Sequence, residues 1–207
     1  MAGERAGGVR ARRTLNGRAV RIFLAVFPPP AFQALAYRVT EALRRPGDDV
    51  SWVKPENLHY TMRFIGEVGE DGARRVTEAA IEAAAGVPAF DAVLGAPGAF
   101  PGPRKARVLW IGLAEGAEPL KELARRLEAA LEKRGFERER QAFKAHLTLG
   151  RVRDPRADWT AALASVPSLD SDPAARFRVD ALRVVESQLS PKGSIYTVRH
   201  AAPLAAR

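Results

Sequence analysis

The sequence predicts an α+β fold of two similar lobes related by a pseudo-two-fold axis, with an active site in the cleft between them. Two observations carry this. The order strand, helix, His/Thr strand, helix runs twice, over about residues 20–86 and 106–170, at a near-constant offset. Of the chain's three histidines, two sit in the same short phrase, Asn57-Leu58-His59-Tyr60-Thr61-Met62-Arg63-Phe64-Ile65-Gly66 and Lys144-Ala145-His146-Leu147-Thr148-Leu149-Gly150-Arg151. Strand side chains alternate faces, so each phrase carries His and Thr on one face and apolar residues on the other. The period is too long, and the copies too few, for a solenoid.

Residues 1–17, rich in Gly and Arg without apolar periodicity, read as a disordered basic tail ahead of a single domain over 18–207. A strand follows at about 20–27, with Val20, Ile22, Leu24 and Val26 on one face and Arg21, Phe23 and Ala25 on the other. Pro30 opens a helix with the stripe Phe32, Leu35, Ala36, Val39 and Leu43, ended by Pro46-Gly47. After the first His/Thr strand comes a helix from about Asp71 to Ala85, stopped by Gly86, then a strand at about 89–94 and a Gly/Pro loop at 95–104. In the second half Arg107-Val108-Leu109-Trp110-Ile111 answers Arg21-Ile22-Phe23-Leu24-Ala25. Pro119 opens a helix with Leu120, Leu123, Leu127 and Leu131 on one stripe and Gly135 past its end. The second His/Thr strand follows, then a helix with Trp159, Ala162, Leu163 and Val166 at helical spacing. A strand at about 176–186, a loop over Ser190–Ser194 and a strand at about 195–200 close the chain as a hairpin with a long connection.

Composition sets limits. A chain of 207 residues with 46% hydrophobic content can bury a core as one domain or two small lobes. Without cysteine there is no disulfide or thiolate site, which fits a reducing cytoplasm. The longest apolar runs are too short to cross a membrane. Arginines before Ile22–Phe27 imitate a signal peptide, but that run is short, meets Pro28-Pro29-Pro30 and lacks a small-residue cleavage site. The net charge of +9 favours a polyanion such as RNA. An Arg-rich surface of solvated charges explains it equally well.

Histidine titrates near neutrality, so one imidazole can accept a proton while another donates one. A cyclic phosphodiester needs in-line attack by water and a protonated leaving oxygen, and His59 and His146 would supply those two steps. Thr61 and Thr148 would donate to the non-bridging oxygens as charge builds there. The sequence holds none of the usual metal motifs, so neither metal nor cofactor is expected. A single His-x-Thr is weak evidence, since most such histidines are structural; two on matched strands are much harder to ascribe to chance. Arg63 shares the face of His59 and Thr61 and is a weaker phosphate candidate, an exposed charge being the default. His200 lacks the pattern and reads as structural or exposed.

Paired His-x-Thr phrases resemble the signature of the 2H phosphoesterases, and the wider context resembles RNA 2′,3′-cyclic phosphodiesterases, also called 2′-5′ RNA ligases. The matching segments are Arg21–Val26, Trp52–His59, Phe64–Val68, Glu186-Ser187 and Leu189–Gly193. The resemblance implies two antiparallel sheets facing a central cleft, helices outside, and metal-independent hydrolysis of a terminal 2′,3′-cyclic phosphate to a 2′-phosphomonoester. It implies His59 as general acid toward O3′, His146 as general base on water, and Thr61 and Thr148 on the phosphate. Arg151 would add a charge-assisted contact, although strict alternation puts it on the face opposite His146. Phe23 matches a base-stacking position, with plain core as the competing reading. The implied partner is RNA or an oligonucleotide with a cyclic phosphate end; no membrane and no obligate protein partner are called for.

Three rivals remain at this stage. The same site run in reverse would join RNA ends through a 2′-5′ linkage. A non-catalytic RNA- or nucleotide-binding module would grip phosphate without turnover. A basic RNA chaperone would act through the tail.

Overall fold

Alternation along β1 (Val20–Val26) sorts the molecule into two sides. Val20, Ile22, Leu24 and Val26 join the main core, while Phe23 and Ala25 form a smaller buried cluster with Val185, bordered by Phe27 and Tyr196. The computed structural model describes residues 19–154, 156–191 and 193–206, so the expected tail at 1–17 lies outside the described residues.

The helices pack on the main-core side. Helix α1 (Pro30–Leu43) starts at a proline, whose missing N–H costs nothing in a first turn, and buries the expected stripe from Phe32 to Leu43. Helix α2 (Glu70–Ala84) carries Glu70 and Asp71 in its first turn, where the helix dipole favours acids. It stops before Gly86, whose φ of 68° suits a residue without Cβ. Helix α3 (Ala117–Glu132) begins ahead of Pro119 and buries Leu120, Leu123, Leu127 and Leu131.

The other strands are β2 (Val50–Trp52), β3 (Tyr60–Val68), β4 (Phe90–Phe100), β5 (Val108–Glu115), β6 (Leu147–Val152), β7 (Arg176–Val179), β8 (Ala181–Ser190) and β9 (Gly193–Pro203). They form one antiparallel sheet of nine strands, in the order β7-β4-β5-β6-β3-β1-β8-β9 with β2 paired to β6. The expectation of two separate sheets is therefore corrected. The halves join where Tyr60 of β3 pairs with Leu147 of β6.

Four local readings also change. Strand β4 runs on through the expected loop to Phe100, because β5 goes on pairing with it as far as Phe100, whereas β7 pairs only with Phe90–Val93. Beyond that point β4 has a free edge, which tolerates Pro97. The expected strand at 176–186 breaks at Asp180 into β7, which pairs with β4, and β8, which pairs with β1. The β8–β9 connection is tight, since Ser190 already pairs with Gly193; Lys192 lies outside the described residues. The helix expected from Trp159 is short, α4 (Thr160–Ala164), with Trp159 buried at its start under the Arg45 guanidinium, 4.3 Å from the ring centroid.

Candidate active site

Tyr60 and Leu147, the pair that joins the two halves, are fully buried toward the helices. Their neighbours must face the other way. Antiparallel register around that pair sets position 59 opposite 148 and position 61 opposite 146. The threonines border the cavities of both imidazoles, and His59 lies close enough to His146 to feel its charge.

Two adjoining cavities meet at this crossing. One, of about 490 Å³, is lined by His59, Asn57, Lys54, Trp52 and Tyr196. The other, of about 560 Å³, is lined by His146, Lys144, Phe143 and Arg138. Thr61, Phe64, Thr148 and Arg151 line both. Neither threonine hydroxyl has a hydrogen-bond partner among the described residues, so both can donate to an anion placed between the imidazoles.

The two rings are fixed alike. His59 Nδ1–H donates to the Asn57 carbonyl and His146 Nδ1–H to the Lys144 carbonyl, each at 2.7 Å. A carbonyl can only accept, so both neutral rings hold their proton on Nδ1 and keep Nε2 available. His59 packs against Phe23, Phe27 and Tyr196, with ring centroids 4.9, 5.1 and 5.4 Å away. Burial in that aromatic setting lowers its pKa to about 4; the Asn57 hydrogen bond opposes the shift and the charge on His146 adds to it. His146 packs edge-on to Phe100, and its pKa is also lowered, first by burial and then by the Arg151 charge, against the Lys144 hydrogen bond.

The remaining expected residues separate. Arg151 does line the site despite the alternation argument. Register against β5 shifts between Leu109–Gly150 and Trp110–Thr148, a β-bulge that returns Arg151 to the face of Thr148. A matching shift between Leu24–Arg63 and Ala25–Thr61 carries Arg63 out of phase with Thr61. Its guanidinium is engaged by Glu128 at 2.9 Å, Glu139 at 2.8 Å and the Glu137 carbonyl at 2.6 Å, so it is neither a free phosphate donor nor an exposed charge. Phe23 is only 2% exposed and supports the His59 ring, so it offers no open face to a base. Phe64, 51% exposed and bordering both cavities, does. Its position inside an apolar run hid it in the sequence.

Two further supports left no sequence signal. The Gln33 amide on α1 donates to the Leu58 carbonyl at 2.9 Å, and the Asn57 amide donates to the Ser194 carbonyl at 3.0 Å. Together they fix the backbone on the N-terminal side of His59. Among the described residues, no three His, Cys, Asp or Glu side chains gather as a metal-binding group.

The model of the 2′-5′ RNA ligase superfamily matches residues 28–190, most of the chain. The chain belongs to that superfamily. Among relatives of this superfamily member, the RNA 2′,3′-cyclic phosphodiesterase of Methanothermobacter thermautotrophicus is 36% identical, over 86% of this chain and 95% of the relative. The protein of the same name from Archaeoglobus fulgidus is 40% identical, over 71% and 80%. The crystal structure of TT0787 of Thermus thermophilus superposes with a TM-score of 0.73 at 28% identity, covering 89% of this chain and 97% of that one. Escherichia coli LigT complexed with 3′-AMP shares the mixed α/β fold, with a TM-score of 0.72 at 21% identity over 90% and 99% of the chains. Among the described residues of this superfamily member, no helix is long and apolar enough to cross a membrane.

Proposed function

We propose that the protein hydrolyses the 2′,3′-cyclic phosphate at RNA ends to a 2′-phosphomonoester, by acid–base catalysis with two histidines and no metal ion. The observation that supports this is the crossing at Tyr60 and Leu147, beside which two cavities adjoin, one bordered by His59, the other by His146, and both by Thr61 and Thr148. The site is read as the centre of a pseudo-two-fold arrangement. Support comes from the strand order, which runs β6, β5, β4, β7 outward on one side and β3, β1, β8, β9 on the other. The relatives named above carry the activity in their names.

In this reading the terminal ribose sits on the His59 side and water enters from the His146 side. His146 Nε2 takes a proton from water as its oxygen bonds to phosphorus. The P–O3′ bond breaks, and His59 Nε2–H protonates O3′. The two threonine hydroxyls and Arg151 hold the non-bridging oxygens as their charge grows. His59 is neutral in the free protein at pH 7, and the bound phosphate anion raises its pKa toward the protonated form that the step requires. Phe64 offers its face to the base.

Ligation is the second reading. The His146-side cavity of about 560 Å³ far exceeds the roughly 30 Å³ a water occupies, leaving room for a nucleotide whose 5′-hydroxyl replaces water. Bulk water still favours hydrolysis.

The test is to incubate an oligoribonucleotide ending in a 2′,3′-cyclic phosphate with the protein in excess EDTA. A 2′-phosphate product is expected. The His59→Ala and His146→Ala proteins should each lose at least 100-fold in rate while remaining folded. A 3′-phosphate product, or near-normal turnover in either variant, would overturn the assignment.

A further inference from the structure

The two cavities differ in charge. The one on the His146 side mixes cations with four carboxylates, those of Glu118, Glu122, Glu128 and Glu139. The lining on the His59 side holds two cations, Arg151 and Lys54, and no acid. Both cations are exposed, and neither has an ion-pair partner among the described residues. A cyclic phosphodiester carries one negative charge, which Arg151 balances in the proposed reaction. Lys54 is then a second positive charge in the same cavity with no anion assigned to it.

The backbone around Lys54 is fixed on both sides. Ser51 pairs with Arg151 across β2 and β6, and Val53 N–H donates to the Leu149 carbonyl at 2.8 Å. Lys54 therefore follows three residues after the partner of Arg151, about 10 Å along an extended chain. Two long cationic side chains at that separation can grip phosphates one nucleotide apart. Beyond Lys54, Asn57 N–H donates to the Lys54 carbonyl at 2.9 Å, and the Asn57 amide reaches the Ser194 carbonyl at 3.0 Å. The second bond draws the β8–β9 turn against the segment that leads into His59. The Lys54 stem lies beside that turn, since a Cβ on Gly193 would stand 4.0 Å from Lys54 Cε. Gly193 has a φ of 113°, a conformation that suits a residue without Cβ, so the turn offers Lys54 bare backbone there.

The terminal ribose in this cavity has its 2′ and 3′ oxygens bound to the reacting phosphorus, which leaves the 5′ oxygen to carry any second phosphate. We propose that Lys54 binds the phosphoryl group on the 5′ oxygen of the reacting nucleotide, which makes the His59-side cavity a two-phosphate site. In an RNA chain that group is the phosphodiester to the preceding nucleotide; in a mononucleotide it is a free 5′-phosphate. This rests on the cyclic phosphodiesterase reading, and turnover of a substrate with a 5′-hydroxyl separates failure of one from failure of the other.

The experiment compares the wild-type protein with Lys54→Ala on three substrates: a nucleoside 2′,3′-cyclic phosphate with a 5′-hydroxyl, the same compound with a 5′-phosphate, and a dinucleotide ending in a 2′,3′-cyclic phosphate. The variant should raise KM about fivefold for substrates with a 5′-phosphoryl group and leave their kcat unchanged. For the 5′-hydroxyl substrate, kcat/KM should change by less than about twofold. A rise in KM for the dinucleotide makes the RNA chain the occupant, and a rise confined to the 5′-phosphorylated mononucleotide makes it a free phosphate; either supports the subsite. Equal effects on all three substrates, or none on any, would overturn it. If the wild type hydrolyses none of them, the activity reading fails, and calorimetric titration with adenosine 2′,5′-bisphosphate and adenosine 2′-monophosphate decides the subsite. Tighter binding of the bisphosphate by the wild type, abolished in Lys54→Ala, supports it; equal binding of the two nucleotides, or an advantage that the variant keeps, overturns it.

Discussion

Burial holds His59 near pKa 4 and lowers His146 as well, so at pH 7 both rings are mostly neutral in the free protein. The proposed two-histidine catalysis requires one proton shared between them. As pH rises above the higher pKa that proton is lost, and as pH falls below the lower one a second is gained. The kcat/KM profile should therefore peak below pH 6.5, while the kcat optimum lies higher, because bound phosphate raises both values. Rate measurements from pH 4 to 9 check this; a kcat/KM maximum above pH 7.5 would contradict it. At this scale the sequence displayed His59, Thr61, His146 and Thr148 fully, since polar residues at period two inside apolar runs need no partner to be noticed. Phe64 was hidden, because an aromatic residue among apolar ones looks like core until its strand partners are known. For Phe23 the same ambiguity ran the other way.

At the scale of elements, the β-bulges matter most. Each shifts the side-chain phase of a His/Thr strand by one residue, admitting Arg151 to the site and removing Arg63 from the face of Thr61. Bulges depend on cross-strand register, which no single strand's pattern contains. Register also corrects the internal alignment. Val26 opposes Tyr60 as Ile111 opposes Leu147, so Ile111 corresponds to Val26 rather than to Ala25, a one-residue slip that would exchange faces. Arg63, displaced from the anion, ties β3 to α3 and to the segment leading into His146. Its side chain is 14% exposed and that of Glu128 is 19% exposed, so Arg63→Met leaves the mostly buried Glu128 carboxylate without its partner. A loss of about 3 kcal/mol is expected in urea titrations, with kcat/KM reduced more than the mild loss in Arg63→Lys. Unchanged stability in Arg63→Met would show that the clamp is decorative.

For the whole molecule, the repeated order of elements was legible because each lobe's helices and strands follow local periodicity. The single sheet was not, because it depends on one long-range contact, Tyr60 with Leu147. Stability carries the mark of the site as well. His59 has a pKa of about 4 when folded against 6.5 when exposed, so the unfolded chain takes up a proton across that interval and the native state does not. His59 thus favours the fold above pH 6.5, and that contribution is lost as pH falls toward 4. Between pH 7.5 and 4.5, urea denaturation of His59→Asn should show a drop in stability smaller than the wild-type drop by on the order of 2 kcal/mol. Equal drops would mean that the ring is not held neutral by the fold.

The central claim is that two distant imidazoles converge on one phosphorus. Its most direct measurement is the NMR titration of the histidine Cε1 signals, with and without a saturating 2′-mononucleotide, the product of the proposed reaction. The account predicts that His59 and His146 both titrate at higher pH when the anion is bound. Movement of only one of the two, or of neither, would contradict it.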